Sequence, residues 1–181
     1  MNYGEIKKSD IANGPGVRVS LFVSGYTNCC EGCFQPETWD FNFGKLFDGE
    51  AKMRIFNELS KSYVRGITLL GGDPFEPSNQ EELLPLLKQI RDLFPSKDVW
   101  CFTGFTLDGE LLKDGSHPRC DYTDEMLKCI DVLVDGRFVL AEKDISLRFR
   151  GSRNQRLIDM NKTRETGEIV LWDDGTGKGS L

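Results

Sequence analysis

The strongest constraint on the fold is an alternation. Short apolar, β-rich runs at 17–23, 66–70, 99–102 and 131–135 are separated by segments with helical periodicity. Ile55, Phe56, Leu59 and Tyr63 recur at the spacing of one helix face and predict a helix over 51–63. Leu83, Leu84, Leu86, Leu87, Ile90 and Leu93 predict a second over 81–94, with Pro85 near its start, where a missing N–H is tolerated. A short third helix is expected over 124–129. Strands alternating with helices imply an α/β fold with a mostly parallel sheet. About four or five such units are too few for a closed eight-fold barrel of ~250 residues, so an open or partial (β/α) barrel is expected. The chain has 181 residues, enough for one domain with a real core.

In such sheets ligands gather at the carboxyl ends of the strands. Three unusual sequences fall on that rim. One is Gly71-Gly72-Asp73-Pro74, another Thr103-Gly104, and the third Gly25-Tyr26-Thr27-Asn28-Cys29-Cys30-Glu31-Gly32-Cys33-Phe34. Three thiols on one short loop suit a metal or an iron–sulfur cluster. Residues 1–8 lack the charged-then-apolar pattern of a signal peptide, so the expected location is the cytoplasm. In that reducing compartment clustered thiols read as ligands rather than disulfides, and a Cys30–Cys33 bridge would be an artefact of air. Cys101 and Cys129 sit in apolar patterns and are expected to be buried and inert, whereas Cys120 lies in a polar, exposed loop. The single histidine, His117, is expected on the surface. A net charge of -6 with mixed signs gives no argument for nucleic acid or a membrane as partner. No apolar run approaches the ~20 residues that span a bilayer.

Further segments complete a pattern. They are Asn13-Gly14-Pro15-Gly16-Val17-Arg18, Leu21-Phe22-Val23-Ser24-Gly25, Cys30-Glu31-Gly32-Cys33 with Thr38-Trp39, and Gly71-Gly72-Asp73-Pro74. Trp100 with Thr103-Gly104, Val134-Asp135-Gly136-Arg137-Phe138, and Arg150-Gly151-Ser152 with Asn154-Gln155 follow. In this order the chain resembles the activating proteins of anaerobic (class III) ribonucleotide reductases, small radical S-adenosylmethionine enzymes. The resemblance covers roughly residues 1–157 and implies a domain over 1–160; the tail beyond it reads from its own residues as an extension over 161–181, with one added strand at 168–172 and a flexible Gly-rich end. It implies a 4Fe-4S cluster held by three thiolates, with S-adenosylmethionine on the open iron. Electron transfer from the cluster splits the sulfonium, and the resulting 5′-deoxyadenosyl radical takes a hydrogen from a glycine of the reductase. The implied partners are the large component of that reductase and a low-potential electron donor.

By the same resemblance Cys30 and Cys33 are iron ligands, Gly32 permits close backbone approach, and Phe34 packs near the cofactor. Gly71 and Gly72 border the cofactor's amino group, and Asp73 is placed to accept a hydrogen bond from that ammonium. Arg18 either faces the cofactor or sits on a strand's solvent side. The family's C-x3-C-x2-C pattern requires a cysteine at position 26, and Tyr26 stands there. Three outcomes stay open. Cys29 supplies the third thiolate, although its Cα is only ~3.8 Å from that of Cys30. An exogenous ligand completes a weak cluster. Or no cluster forms, and a degenerate homologue binds the reductase without catalysis. A zinc site on Cys29, Cys30 and Cys33 ranks last, because zinc usually takes four ligands.

Overall fold

The computed structural model describes residues 1–28 and 36–175. Its strands are β1 (Asn2–Asp10), β2 (Val17–Val23), β3 (Lys45–Leu46), β4 (Val64–Gly71), β5 (Asp98–Phe102), β6 (Val132–Asp135) and β7 (Arg156–Asp159). The helices are α1 (Gly49–Leu59), α2 (Pro77–Leu93), α3 (Thr123–Lys128) and α4 (Met160–Thr166). One seven-stranded sheet runs in the order β3-β1-β2-β4-β5-β6-β7. Its centre, β2-β4-β5-β6, is parallel. The outer strands β1, β3 and β7 pair antiparallel, which makes the sheet mixed rather than uniformly parallel.

The central strands are buried on both faces, as parallel strands must be. Val19, Leu21, Ile67, Leu69, Val99, Cys101 and Leu133 point to one face. There they meet Ile55 and Leu59 of α1, Leu83, Leu86, Leu87 and Ile90 of α2, and Met126 of α3. The alternate residues form a second cluster of Trp100, Val132, Val134 and Leu157, covered by Phe149 and Trp172. Burial of large aliphatic side chains on the helix face is worth about 2 kcal/mol each before entropy is counted.

Local chemistry accounts for the boundaries. α1 starts two residues earlier than its periodicity suggests because Asp48 caps it, accepting from the Ala51 N–H at 2.9 Å. It stops at Leu59, leaving Tyr63 58% exposed. α2 begins at Pro77, a proline in the first turn, so Pro85 lies in the helix interior rather than near its start. The helix tolerates it because Pro85 faces water, where the freed carbonyl is solvated. β1 carries no legible strand signal. Four of its nine residues are charged (Glu5, Lys7, Lys8 and Asp10), and register shifts between Tyr3/Glu5 and Lys7/Asp10 break the alternation. At the far end, the strand expected over 168–172 shrinks to one bridge, Ile158↔Leu171, with Asp159 N–H donating to Val170 O at 2.8 Å. No helix among the described residues is long and apolar enough to cross a membrane.

Candidate functional site

The carboxyl ends of β2 and β4 are stitched together by backbone. Gly72 N–H donates to Val23 O (2.7 Å), Asp73 N–H to Gly25 O (2.7 Å), and Gly25 N–H to Thr38 O (2.7 Å). Tyr26 N–H donates to Trp39 O at 3.1 Å, which closes the chain between 26 and 39 into a loop anchored at this rim. The approach explains both glycines. A Cβ on Gly71 would lie 2.5 Å from Val23 O, and one on Gly72 would lie 2.5 Å from Gly25 O. Asn79, in the first turn of α2, donates to Ser24 O (3.0 Å) and Asp73 O (2.8 Å) and so locks the same corner.

Asp73 is fully buried. Its carboxylate accepts from Phe75 N–H (2.8 Å), Gly104 N–H (2.7 Å) and Thr103 Oγ1 (2.9 Å), so it ties the end of β4 to the end of β5. Burial pushes its pKa up, against those hydrogen bonds, to about 7.

Between these ends opens a cleft of about 530 Å³. Phe22, Leu70, Phe102 and Phe138 give it apolar walls, and Gly71, Gly72, Thr103, Asn13 and Gln155 give it polar edges. The volume is that of a small-molecule site. Asn13 is held by Asp10, which accepts from its Nδ2 at 2.6 Å and from Ser20 Oγ at 2.6 Å. Burial opposes the charge on Asp10, but hydrogen bonds from Ser20, Ala12, Asn13 and Lys7 outweigh it and bring the pKa down to about 2. The far wall is shaped by Gln155, whose Oε1 accepts from Gly151 N–H at 2.9 Å and whose Nε2 donates to Gly136 O at 3.1 Å.

Arg18 is not on a solvent-facing side of its strand, and it does not line the cleft. It is fully buried, donates to Thr68 Oγ1 (2.8 Å) and Ile67 O (2.9 Å), lies 2.5 Å from the Asp98 carboxylate, and stacks over Trp100. Its work is to tie the Asn13-Gly14-Pro15-Gly16 turn to β4, through Pro15 O at 3.2 Å.

Tyr26 is buried and lines the cleft. Its ring meets Phe105 edge-on at 6.2 Å, and its hydroxyl abuts Gly104, where a Cβ would come within 1.7 Å of it. The Nδ2 of Asn28 is buried without a hydrogen-bond partner among the described residues. Cys29, Cys30, Gly32, Cys33 and Phe34 lie outside the described residues. Among the described residues no group of three His, Cys, Asp or Glu side chains is arranged to hold a metal ion. The sequence offers three clustered thiols, Cys29, Cys30 and Cys33, between the described residues 28 and 36, a chemistry suited to an iron–sulfur cluster.

Cys101 is buried, and desolvation pushes its thiol pKa well up, as expected of an inert core residue. Cys129 is buried too, while Cys120 is half-buried rather than exposed. Sequence reading missed Glu76. It is almost fully buried, accepts from Thr27 N–H at 2.8 Å and Thr27 Oγ1 at 2.6 Å, and its other oxygen lies 2.8 Å from His117 Nε2. The His117 side chain is 54% exposed, so it lies at the surface as expected. An acidic residue just before the first proline of a helix was the one signal available.

Comparison of the sequence with known proteins gives the family. A family model described as a 4Fe-4S single cluster domain matches residues 12–158. The chain is 43% identical over 157 residues to the anaerobic ribonucleoside-triphosphate reductase-activating protein of Haemophilus influenzae, covering 86% of this chain and 96% of that protein. The protein of the same name from Enterobacteria phage T4 is 42% identical over 159 residues, covering 87% and 93%. The one from Escherichia coli K12 is 42% identical over 157 residues, covering 86% and 96%.

Proposed function

The chain belongs to the family of anaerobic ribonucleoside-triphosphate reductase-activating proteins, and from that premise we propose that it generates the glycyl radical of such a reductase. The cofactors are a 4Fe-4S cluster and S-adenosylmethionine, which when bound supply the reductive cleavage of the sulfonium. The observation that carries the reading is the juxtaposition at one rim. The anchored ends of the thiol-bearing loop meet a cleft of cofactor size at the carboxyl ends of four parallel strands. That arrangement supports reading the sheet as a partial barrel of the radical S-adenosylmethionine type.

In this reading Cys30, Cys33 and Cys29 hold iron, with Gly32 and Phe34 beside them. Gly71 and Gly72 border the amino-acid end of S-adenosylmethionine with backbone alone. Asp73 acts at one remove, holding the Thr103-Gly104 turn against the cleft. Residues 1–160 form the activase domain, in keeping with a family match that ends at 158, and 161–181 form an extension. The partners are the reductase and a low-potential electron donor, and the working compartment is the cytoplasm.

A second reading has its own support. Tyr26 is a packed core residue at the cleft, so a phenol fills the place of the first thiol. That favours a cluster-free homologue that binds the reductase without catalysis. Anaerobic reconstitution with iron and sulfide, run beside Tyr26→Cys, separates the two. About four irons per chain and 5′-deoxyadenosine after reduction of the native protein are expected from the activase. If only Tyr26→Cys yields them, the cluster-free reading is correct. If neither does, both the cofactor assignment and the cleft's role fail.

A further inference from the structure

We infer that Glu76 is a positioning residue: with His117 behind it, it clamps the stem that leads into the thiol-bearing loop. The inference rests on the cluster reading for its consequence, but not for its geometry. Glu76 stands at the cap position of α2, yet its side chain makes no capping hydrogen bond to the helix. It turns away instead and gives one oxygen to both donors of Thr27, the backbone N–H and the hydroxyl. Thr27 lies two residues before Cys29. The second oxygen faces His117 Nε2 at 2.8 Å.

A carboxylate this deeply buried is unfavourable unless its oxygens are partnered, and here three donors converge on it from two distant segments. Phe105 orients the assembly, with its ring 6.0 Å from that of His117 and 6.2 Å from that of Tyr26. Asn28, the residue after Thr27, carries a buried amide nitrogen without a partner among the described residues, whereas both donors of Thr27 are engaged by Glu76. A two-point grip on Thr27 fixes both the position and the peptide orientation at the loop's entry. Such a grip sets where the following thiols begin, and a positioning error of about 1 Å is enough to spoil a site.

The test uses the full chain with Glu76→Ala, Glu76→Gln and Thr27→Val. Hydrogen exchange of the iron-free protein reads the Thr27 amide directly. Protection is expected in the native chain and in Glu76→Gln, which keeps an acceptor oxygen, with exchange at least ~10-fold faster in Glu76→Ala. Iron content and the visible and paramagnetic spectra after reconstitution read the consequence. Glu76→Gln should match the native protein, whereas Glu76→Ala should lose at least about half the iron or shift the cluster spectrum, with Thr27→Val between them. Should Glu76→Ala fail to fold by circular dichroism, Thr27→Val carries the test, because it deletes one bond and keeps the volume. A native Thr27 amide that exchanges as fast as in Glu76→Ala overturns the clamp. So does an accelerated amide with unchanged iron and spectrum. A native chain that binds no iron sinks the proposed function, and the exchange result still decides the clamp.

Discussion

At the scale of single residues, the site is built from buried polar groups whose partners are far away in sequence. Asp73 is the sharpest case. Its folded pKa, about 7 against an ordinary 3.8, means the native state binds the proton more tightly than the unfolded chain. The associated stability is therefore present below pH ~4 and is lost as pH rises through 7, by roughly 4 kcal/mol in total. Asp73→Asn removes that slope. It also leaves one of the Phe75 and Gly104 N–H groups facing an amide NH2, a loss of about 1–3 kcal/mol. Denaturant melts of both proteins at pH 5 and pH 8 check it: the native-to-variant difference should be smaller at pH 8. Asp10 has the opposite sign, its pKa of about 2 lending stability above pH ~4 that is lost as pH falls toward 2. Tyr26 and Gly104 make a second test. Gly104→Ala should cost about 1–3 kcal/mol through overpacking against the hydroxyl, and Tyr26→Cys should remove most of that penalty. A double-mutant cycle with a coupling below about 0.5 kcal/mol would show that the two do not touch.

At the scale of elements, legibility followed periodicity. β2, β4, β5 and β6 and the helices α1 to α3 were readable because apolar spacing is a local property. β1 was not, since its charged composition and two bulges hide the strand. Pro85 shows the limit of a local rule. Its tolerance depends on the exposed face it occupies, which is known only after α2 is docked with Leu83, Leu84, Leu86, Leu87 and Ile90 inward. Because the proline still forfeits a helix hydrogen bond, Pro85→Ala should stabilise the protein by about 1–3 kcal/mol in a denaturant melt. An unchanged midpoint would mean that the helix has already relaxed around it.

At the scale of the whole molecule, the two faces of the sheet are closed differently. Helices cover one, while the other depends on the segments after β6. Trp172 packs edge-on against Trp100 at 4.9 Å and against Phe149 at 6.1 Å. Arg148 reaches the same segment through Asp174 O at 2.8 Å. Deleting residues 168–181 should uncover Trp100, lower stability by about 2–3 kcal/mol, and shift tryptophan emission to the red. Emission and melting unchanged by the deletion would show that the extension does not close this face.

The sequence by itself determined the order of the central elements, the thiol-bearing segment with Tyr26 in it, and the family, because periodicity and motif spacing are written along the chain. Only the tertiary structure decided what the polar residues do. Arg18 is buried on Thr68 and Asp98, Asp73 is spent on Thr103 and Gly104, and Glu76 joins Thr27 to His117. Each of these pairings spans thirty to eighty positions or depends on two elements meeting at one rim. A buried polar group must find a partner, but which partner is settled by the packing that brings the strand ends together.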